Sequence, residues 1–404
     1  MLEGTPSLRS LAAIAALAAA VRLFAAWAIP FSAGSGDPNF APDEAQHFIV
    51  IRYLSEGRAP VWPASPSVYS VFPPSHYAIQ AATLWLGRAL PDLRRVPGQG
   101  PDAVGIFWAR AGSVLLGVAG SVLLARASGA FLRNARAGVL AGAAAALYPQ
   151  YAFVTSYCNA DACTIFAGVL LVDALAVWAI RGEGAAGLGY VGAAAGAVLS
   201  GKVSGFYLLL PATILVLSRR PPLRALLQSC ALAAFVAGPW LLWNAIRTGG
   251  DAFGVRLYGR FMADVWHPQT LLEIPHGAAK FAYLTASSAI GVFGNMSLPL
   301  PWALRGAIGA VVLAGVLIAA RSPWSPAAKF IAGAALANLG SELAKCLLVD
   351  FQPQGRYVLV PVLLLICVAL IAPARRWPRW PAVFLAVLAI STLTMEWELF
   401  ARGR

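Results

Sequence analysis

Long runs of apolar residues recur along the whole chain, separated by short polar segments or segments rich in proline and glycine. Their hydrophobicity is continuous rather than alternating, and most of them have the roughly 17 to 25 residues that cross the hydrocarbon core of a bilayer as a helix. The pattern therefore predicts an all-α, polytopic membrane helix bundle. Eleven spans are predicted, at 8–29, 104–125, 137–156, 160–180, 187–201, 203–218, 225–247, 302–320, 327–348, 357–373 and 380–399.

The loops between these spans differ in charge. If the N-terminus is cytoplasmic, every predicted inner loop is basic, as the positive-inside rule requires. The residues concerned are Arg126, Arg133, Arg136, Arg181, Arg219, Arg220, Arg224, Arg321, Lys329, Arg375, Arg376 and Arg379. We therefore expect one transmembrane domain, 1–404, with two large extracytoplasmic loops, 30–103 and 248–301.

Two further apolar stretches fall within these loops. The stretch 76–90 is short for a span, and if it crossed, the arginine-rich loop 126–136 would lie outside, so an interfacial or re-entrant helix is expected there. The stretch 280–296 is open to the same two interpretations.

Composition agrees with a membrane protein. Hydrophobic residues make up 59% of the chain and charged residues only 12%, about half the fraction usual in soluble proteins. The net charge of +13 is explained by arginines that set topology and meet lipid phosphates. With no basic tail and no interleaving of basic and aromatic residues, no nucleic-acid partner is expected.

Two adjacent carboxylates, Asp43 and Glu44, stand out because acidic residues are so scarce. They begin the first external helix, where Asp43 is predicted to be the N-cap with Gln46 at a capping-box-like spacing. A purely structural capping role is one interpretation of Asp43. His47 lies on the same helical face, where it either packs at the interface or shares a proton or a metal with Asp43.

Other polar residues fall at the outer ends of predicted spans. Arg110 lies inside an apolar span and either faces a cavity with a partner or snorkels to the interface. Asp161 is alternatively the N-cap of its helix. Lys202, next to Gly201, and the planar fork of Arg356 both suit a phosphate. With His76, these residues are predicted to meet in one outer-facing cavity.

Several motifs carry a family resemblance. They are Pro-Asp-Glu-x-x-His-Phe followed by Arg-Tyr-Leu (42–54), Pro-Pro-x-His-Tyr (73–77), Asn159-x-Asp161, Gly201-Lys202 and Gln-Gly-Arg-Tyr (354–357). In this order they resemble the GT-C membrane glycosyltransferases, such as the protein O-mannosyltransferases and the aminoarabinose transferase of lipid A. The Asn-x-Asp and Gln-Gly-Arg-Tyr elements are most similar to an uncharacterised bacterial multispan branch.

The resemblance implies a polyprenyl-phosphate-linked sugar donor, an extracytoplasmic lipid, glycan or protein acceptor, and inversion at the anomeric carbon. It places the protein in a bacterial inner membrane with its site facing the periplasm. Asp43 is implied to be the catalytic base, with Glu44 shaping the site or substituting for it. The donor phosphate is assigned to Lys202, Arg356 and Arg110. The remaining substrate-binding residues are assigned as His47, His76, Asn159, Asp161, Gln354 and Tyr357.

The usual histidine of a His-Pro-Pro element is replaced here by Phe72, with the histidine displaced to His76. A divalent metal is compatible with the resemblance but not favoured, since only one carboxylate cluster is present. No Walker loop or nucleophile elbow points to ATP or serine-hydrolase chemistry. The alternatives are a transporter or flippase for a lipid-linked or anionic substrate, and a polysaccharide ligase or polymerase.

Overall fold

The computed structural model describes residues 4–31, 41–59, 65–89, 105–181, 185–266, 268–293, 297–321, 326–375 and 377–402. Within these ranges the chain forms sixteen α-helices and one two-stranded antiparallel sheet. The first eight helices are α1 (Leu8–Ala28), α2 (Glu44–Ser55), α3 (Ala78–Arg88), α4 (Ile106–Phe131), α5 (Ala135–Leu147), α6 (Pro149–Val154), α7 (Asp161–Arg181) and α8 (Ala185–Leu199). The second eight are α9 (Leu209–Ser218), α10 (Leu223–Arg247), α11 (Val255–Phe261), α12 (Gly277–Gly291), α13 (Trp302–Ala320), α14 (Pro326–Leu348), α15 (Leu359–Ile371) and α16 (Trp380–Arg402). The strands are β1 (Val292–Phe293) and β2 (Leu298–Pro299).

Each predicted span overlaps at least one helix, and the predicted all-α polytopic fold is confirmed. By length and hydropathy, α1, α4, α7, α10, α14 and α16 are long enough to cross a membrane. The other five predicted spans correspond to shorter apolar helices, namely α5, α8, Val203–Ser218, α13 and Gly355–Ile371. The protein is therefore a multi-pass membrane protein.

One predicted span is broken. The prediction of a continuous helix over 137–156 is wrong, because α5 ends at Leu147 and α6 begins at Pro149. Proline at the first helical position cannot donate a backbone hydrogen bond and keeps the preceding Tyr148 extended, with ψ 113°. After the break, α6 packs against α12.

The centre of the bundle is α4, which packs against α1, α5 and α7. Small residues allow this close approach, as is common between membrane helices. At Gly138 of α5, for example, a Cβ atom would lie 2.5 Å from the carbonyl oxygen of Ala125 in α4. The central helices are therefore held too closely for larger side chains.

Arg126, predicted to lie in an inner loop, is instead part of α4, which extends past the predicted end of that span. Its Nε donates to Oδ1 of the buried Asp173 in α7 over 2.7 Å. The Tyr190 hydroxyl of α8 donates to the same carboxylate over 2.8 Å. This arginine thus joins three helices by neutralising a buried acid, in addition to any effect on topology.

The predicted loops 30–103 and 248–301 contain helices that lie on the bundle. The stretch 76–90 includes α3, which packs against α2 and α4, and 280–296 includes the end of α12. Residues 32–40, 60–64, 90–104, 267 and 294–296 lie outside the described residues, as does Arg376. That these segments stay on the outer side remains a prediction.

The first of these segments is joined to the end of α10. The Asn244 side chain donates to the Val71 carbonyl over 3.0 Å, and Arg247 donates to the Phe72 carbonyl over 2.5 Å. The first segment is thereby fixed above the bundle, with Asp43 and Glu44 at its base.

Candidate active site

Four charged side chains from distant parts of the chain meet beside the outer segments. Lys202 Nζ lies 3.1 Å from Oδ1 of Asp161, and Arg356 Nε lies 3.5 Å from the other oxygen of that carboxylate. Arg356 Nη2 is in turn 3.7 Å from Oδ2 of Asp43. The predicted convergence of these four residues is present, and Asp161 is at its centre.

Asp161 is the first residue of α7, but its side chain does not serve as the cap. Asn159 takes that role, because its Oδ1 accepts from the Ala162 backbone over 2.8 Å. Both Asn159 and Asp161 are buried. The Asn159 side chain thus caps α7, and the Asp161 carboxylate contacts Lys202 and Arg356.

Lys202 lies between α8 and the 3₁₀ turn Val203–Leu208. Its backbone nitrogen donates to Thr164 Oγ1 over 3.2 Å, which anchors this turn to α7. Burial alone lowers the pKa of Lys202, but Asp161 and the neighbouring Tyr357 raise it, and the net pKa lies above its ordinary value. The ammonium therefore stays charged at neutral pH.

Arg356 is placed by Gly355, which starts the 3₁₀ turn ahead of α15. The Gly355 nitrogen donates to Ser288 Oγ over 2.5 Å, and a Cβ at this position would lie 2.1 Å from the Ala289 nitrogen. Only glycine allows the turn to lie this close to α12. The motif thus fixes the backbone that carries the arginine.

The Arg356 side chain is only 8% exposed. Its Nη2 donates to the Tyr357 hydroxyl over 3.3 Å, whereas Nε and Nη1 have no hydrogen-bond partner among the described residues. A buried guanidinium with unused donors is costly without a ligand and is suited to bidentate binding of an oxyanion.

Asp43 precedes α2 with a left-handed backbone, φ 61°. Its side chain makes no capping hydrogen bond, so the predicted capping-box role is not observed. The side chain is 41% exposed and faces Arg356. The structure thus leaves this carboxylate accessible beside a cation.

Glu44, by contrast, is buried in a bidentate ion pair with Arg110, at 2.8 Å and 2.6 Å. Arg110 Nη1 also donates to the Ala26 and Ile29 carbonyls at the end of α1, and Glu44 Oε1 accepts from the Cys158 nitrogen. The predicted interior position of Arg110 with a partner is therefore observed, rather than snorkelling. The pair joins α1, α2, α4 and the turn before α7. The three guanidinium nitrogens of Arg110 all donate to protein oxygens.

The histidines belong to an aromatic cluster above the charges. His47 Nδ1 is 2.8 Å from the Tyr77 hydroxyl, and the ring stacks on Tyr69 at 4.2 Å. Burial lowers the pKa of His47 to about 3 and that of His76 to about 4. Both are neutral at physiological pH. His47 is a packing residue in this arrangement, and its contacts give no sign of a proton shared with Asp43.

No protein-family model and no curated protein matches the sequence. Among solved structures, the crystal structure of ArnT from Cupriavidus metallidurans in the apo state superposes with a TM-score of 0.61, at 14% identity, over 97% of this chain and 76% of that chain. The chain therefore has the same overall fold as ArnT. A structure of ArnT from the same organism bound to undecaprenyl phosphate aligns over the same fractions, with a TM-score of 0.49 and 16% identity.

Within this fold, the remaining predicted site residues have different surroundings. The Asn159 amide donates to the Val154 and Tyr157 carbonyls and is consumed by its own turn. Gln354 lines a pocket next to Arg356. The Tyr357 ring lies 5.1 Å from Lys202 Nζ. The Asn159 side chain thus stabilises the turn before α7, whereas Gln354 and Tyr357 lie beside the two cations.

Lys345 was missed by sequence reasoning. Its Nζ lies 3.9 Å from the Tyr357 ring centroid, and it forms a 3.9 Å ion pair with Glu342 in the same helix. The available signal was a lysine in the last turn of an apolar helix. Among the described residues, no three His, Cys, Asp or Glu side chains come together as metal ligands.

Proposed function

We propose that this protein transfers a sugar from a polyprenyl-phosphate-linked donor to an extracytoplasmic lipid, glycan or protein acceptor, with inversion at the anomeric carbon. The observation that carries this proposal is the accessible Asp43 carboxylate beside Arg356, a buried cation with unused donors. The GT-C fold supports it. In this proposal the protein is in a bacterial inner membrane with its site facing the periplasm.

The reaction follows from these positions. Asp43 accepts the proton of the acceptor hydroxyl as its oxygen attacks the anomeric carbon. The bond from that carbon to the phosphate oxygen breaks, and the polyprenyl phosphate leaves with the electron pair. Arg356 and Lys202 neutralise the charge that develops on the leaving phosphate. A single displacement of this kind needs one base and inverts the centre.

Asp161 keeps the two phosphate-binding cations together before the donor arrives. Lys202 and Arg356 both contact its carboxylate, which offsets their mutual repulsion. Glu44 and Arg110 have a supporting role in this proposal, because they saturate each other. Arg110 therefore positions α2 and Asp43 rather than holding the donor phosphate.

No metal is required in this scheme, since the cations of the chain neutralise the leaving group. We expect transfer to continue at full rate in excess chelator. A loss of transfer that added Mg²⁺, Mn²⁺ or Zn²⁺ restores would overturn this part of the proposal.

The test uses purified protein in nanodiscs with polyprenyl phosphates carrying radiolabelled glucose, mannose or arabinose, and total bacterial membranes as acceptors. The wild type is expected to move label out of at least one donor. Asp43→Asn is expected to lower the rate about a hundredfold or more, as loss of a general base does. Glu56→Gln is the matched control, because it removes a carboxylate that pairs only with exposed or half-exposed arginines of the same external segment.

Undiminished transfer by Asp43→Asn would exclude Asp43 as the base. In sealed proteoliposomes, movement of intact donor across the bilayer without transfer of label would replace the transferase by a flippase. Mass spectrometry of the lipid that co-purifies with the protein provides an independent check on the donor class.

A further inference from the structure

Arg305, in the first turn of α13, has no counter-ion in the described part of the chain. The residue is only 6% exposed, and its Nε has no hydrogen-bond partner among the described residues. No carboxylate oxygen of those residues lies within 4.0 Å of its guanidinium. A cation buried in this way is costly without a partner, and such charges in membrane proteins usually mark a ligand. None of the roles in the proposed function uses Arg305.

The guanidinium of Arg305 stacks on the ring of Trp302, with 3.8 Å between its central carbon and the ring centroid. Trp302 is three residues earlier in the same helix, so the arginine side chain leans towards the helix start, as helical side chains do. Stacking uses the face of the guanidinium, whereas its N–H bonds point outwards in the plane. The stack therefore holds the guanidinium in place and leaves its N–H edge for a ligand.

The start of α13 also attracts negative charge. The backbone nitrogens of Leu304 and Arg305 donate to the Pro301 carbonyl, whereas those of Trp302 and Ala303 have no acceptor among the described residues. Proline has no side chain that can cap a helix, and the first turn contains no acidic residue. Free N–H groups and the helix dipole favour an anion at this end and disfavour a cation. An anion beside the first turn satisfies both the helix start and the guanidinium.

The position of the arginine is fixed by the end of α12. A Cβ at Gly291, the last residue of α12, would lie 3.3 Å from Cγ of Arg305 and 2.7 Å from Cδ1 of Leu300. The Leu300 nitrogen donates to the Gly291 carbonyl over 2.8 Å. The absence of a side chain at Gly291 thus makes room for the aliphatic stem of Arg305 between α12 and α13.

The surface next to Arg305 is apolar and exposed. Trp302 is 71% exposed, and Leu313 and Leu317, which lie on the same face of α13, are 60% and 52% exposed. In a membrane this face contacts lipid, and exposed tryptophans are typical of the membrane–water interface. A ligand of Arg305 therefore has an anionic group at the helix start and an apolar part that fits the face below it. A phospholipid has both.

We infer that Arg305 and the first turn of α13 bind the phosphate group of an anionic phospholipid, whose acyl chains lie along the exposed face of α13. A lipid with a net negative charge is preferred to a zwitterionic one, because the described residues place no carboxylate beside Arg305 to receive an ammonium or choline group. This site is separate from the residues of the proposed reaction and does not depend on sugar transfer.

The test uses the full chain in nonionic detergent. Native mass spectrometry measures the affinity for phosphatidylglycerol and for phosphatidylcholine, and thermal unfolding is followed with either lipid, with inorganic phosphate or with no addition. The variants are Arg305→Gln and Arg305→Lys. The control is Arg260→Gln, which removes the same charge from an exposed position in α11.

The wild type and the control are expected to bind phosphatidylglycerol more tightly than phosphatidylcholine. Arg305→Gln is expected to weaken phosphatidylglycerol binding about ten- to a hundredfold, because charge-assisted hydrogen bonds are lost. Arg305→Lys should lie between the two, since it keeps the charge but not the planar fork. Phosphatidylglycerol should raise the melting temperature of the wild type but not that of Arg305→Gln.

A purely structural role of Arg305, limited to packing on Trp302, predicts a different result. Arg305→Gln would then melt at a lower temperature without lipid and respond to phosphatidylglycerol as the wild type does. Without lipid we instead expect this variant to melt no lower than the wild type, because it removes a buried cation that has no partner.

Equal phosphatidylglycerol affinity of the wild type and Arg305→Gln overturns the inference, as does equal affinity of the wild type for the two lipids. If inorganic phosphate stabilises the wild type as much as phosphatidylglycerol does, and only when Arg305 is present, the ligand is a soluble anion and the lipid assignment is wrong. Failure of the proposed function is a separate result, because a chain without transfer activity still shows the lipid response.

Discussion

The guanidinium of Arg356 lies 3.7 Å from the Asp43 carboxylate, so the start of α2 and the turn before α15 meet through opposite charges. A phosphate that binds Arg356 competes with this carboxylate. Because Asp43 is partly exposed, the ion pair is expected to contribute at most about 1 kcal/mol to the free energy of unfolding. In the proposed reaction, donor binding releases Asp43 at a small cost and leaves its carboxylate to act as the base.

Donor affinity should depend on both cations. We expect Arg356→Gln and Lys202→Met each to raise the Kd for a glycosyl polyprenyl phosphate about ten- to a hundredfold, because each removes a charge-assisted contact. Binding to protein in nanodiscs measures this. Arg256→Gln is the control, since that arginine is exposed and donates to the Gly249 carbonyl. Unchanged affinity in both site variants would remove their phosphate role.

The Glu44–Arg110 pair should control stability more than chemistry. Replacing Arg110 by Met leaves Glu44 buried and unpaired, which costs about 3–5 kcal/mol. Glu44→Gln combined with Arg110→Met should recover part of this loss, because no uncompensated charge remains. Thermal unfolding in detergent across the double-mutant cycle measures the coupling. Fully additive losses would show that the two residues act independently.

Gly355 should tolerate no side chain. Alanine there places its Cβ 2.1 Å from the Ala289 nitrogen, and the turn that carries Arg356 has to move. We expect a lower melting temperature together with weaker donor binding. Gly340→Ala is the matched control, because a Cβ there meets nothing within 4 Å and alanine favours helix. Equal behaviour of the two variants would contradict the close approach.

Stability should fall in acid because His76 is buried and neutral. Burial lowers its pKa from 6.5 to about 4, so the unfolded chain binds a proton that the folded chain does not. The free energy of unfolding is therefore unaffected by His76 above about pH 6.5. It decreases as the pH falls from there towards 4, by at most about 1.4 kcal/mol per pH unit. The melting temperature between pH 5 and 8 measures it.

His76→Phe should make this profile shallower without a loss at neutral pH, while His47, whose pKa burial lowers to about 3, keeps part of the slope. Neither ring nitrogen of His76 has a hydrogen-bond partner among the described residues, and its ring contacts Phe72 and Tyr77. His276→Asn is the control, because that histidine is exposed and asparagine suits its left-handed backbone. A profile identical to that of the wild type would exclude His76 as the source.

The spans were predictable because continuous hydrophobicity reports directly on lipid exposure. The meeting of Asp43, Asp161, Lys202 and Arg356 was also predictable, since each follows or precedes a span on the same side. Which of two neighbouring carboxylates faces the site was only partly predictable. A helix start turns adjacent side chains in different directions, so Glu44 is buried with Arg110 while Asp43 stays accessible.

The unused donors of Arg356 were beyond sequence reasoning for a different reason. Nothing in the chain near this residue marks its nitrogens as lacking partners. That property arises only when α12 and the turn at Gly355 come together. Arg126 was predicted to lie in a loop because its ion-pair partner, Asp173, is in another helix. The two residues are 47 positions apart, and the sequence does not show that they meet.

The left-handed backbone of Asp43 has a consequence for how this protein can be improved. A non-glycine residue at φ 61° costs on the order of 1 kcal/mol, and the side chain recovers none of it by capping the helix. Glycine removes that strain. A screen for thermal stability alone would therefore select Asp43→Gly early. With Asp43 as the proposed base, the more heat-resistant protein obtained in this way lacks transfer activity, and thermostability and turnover are opposed at this one position.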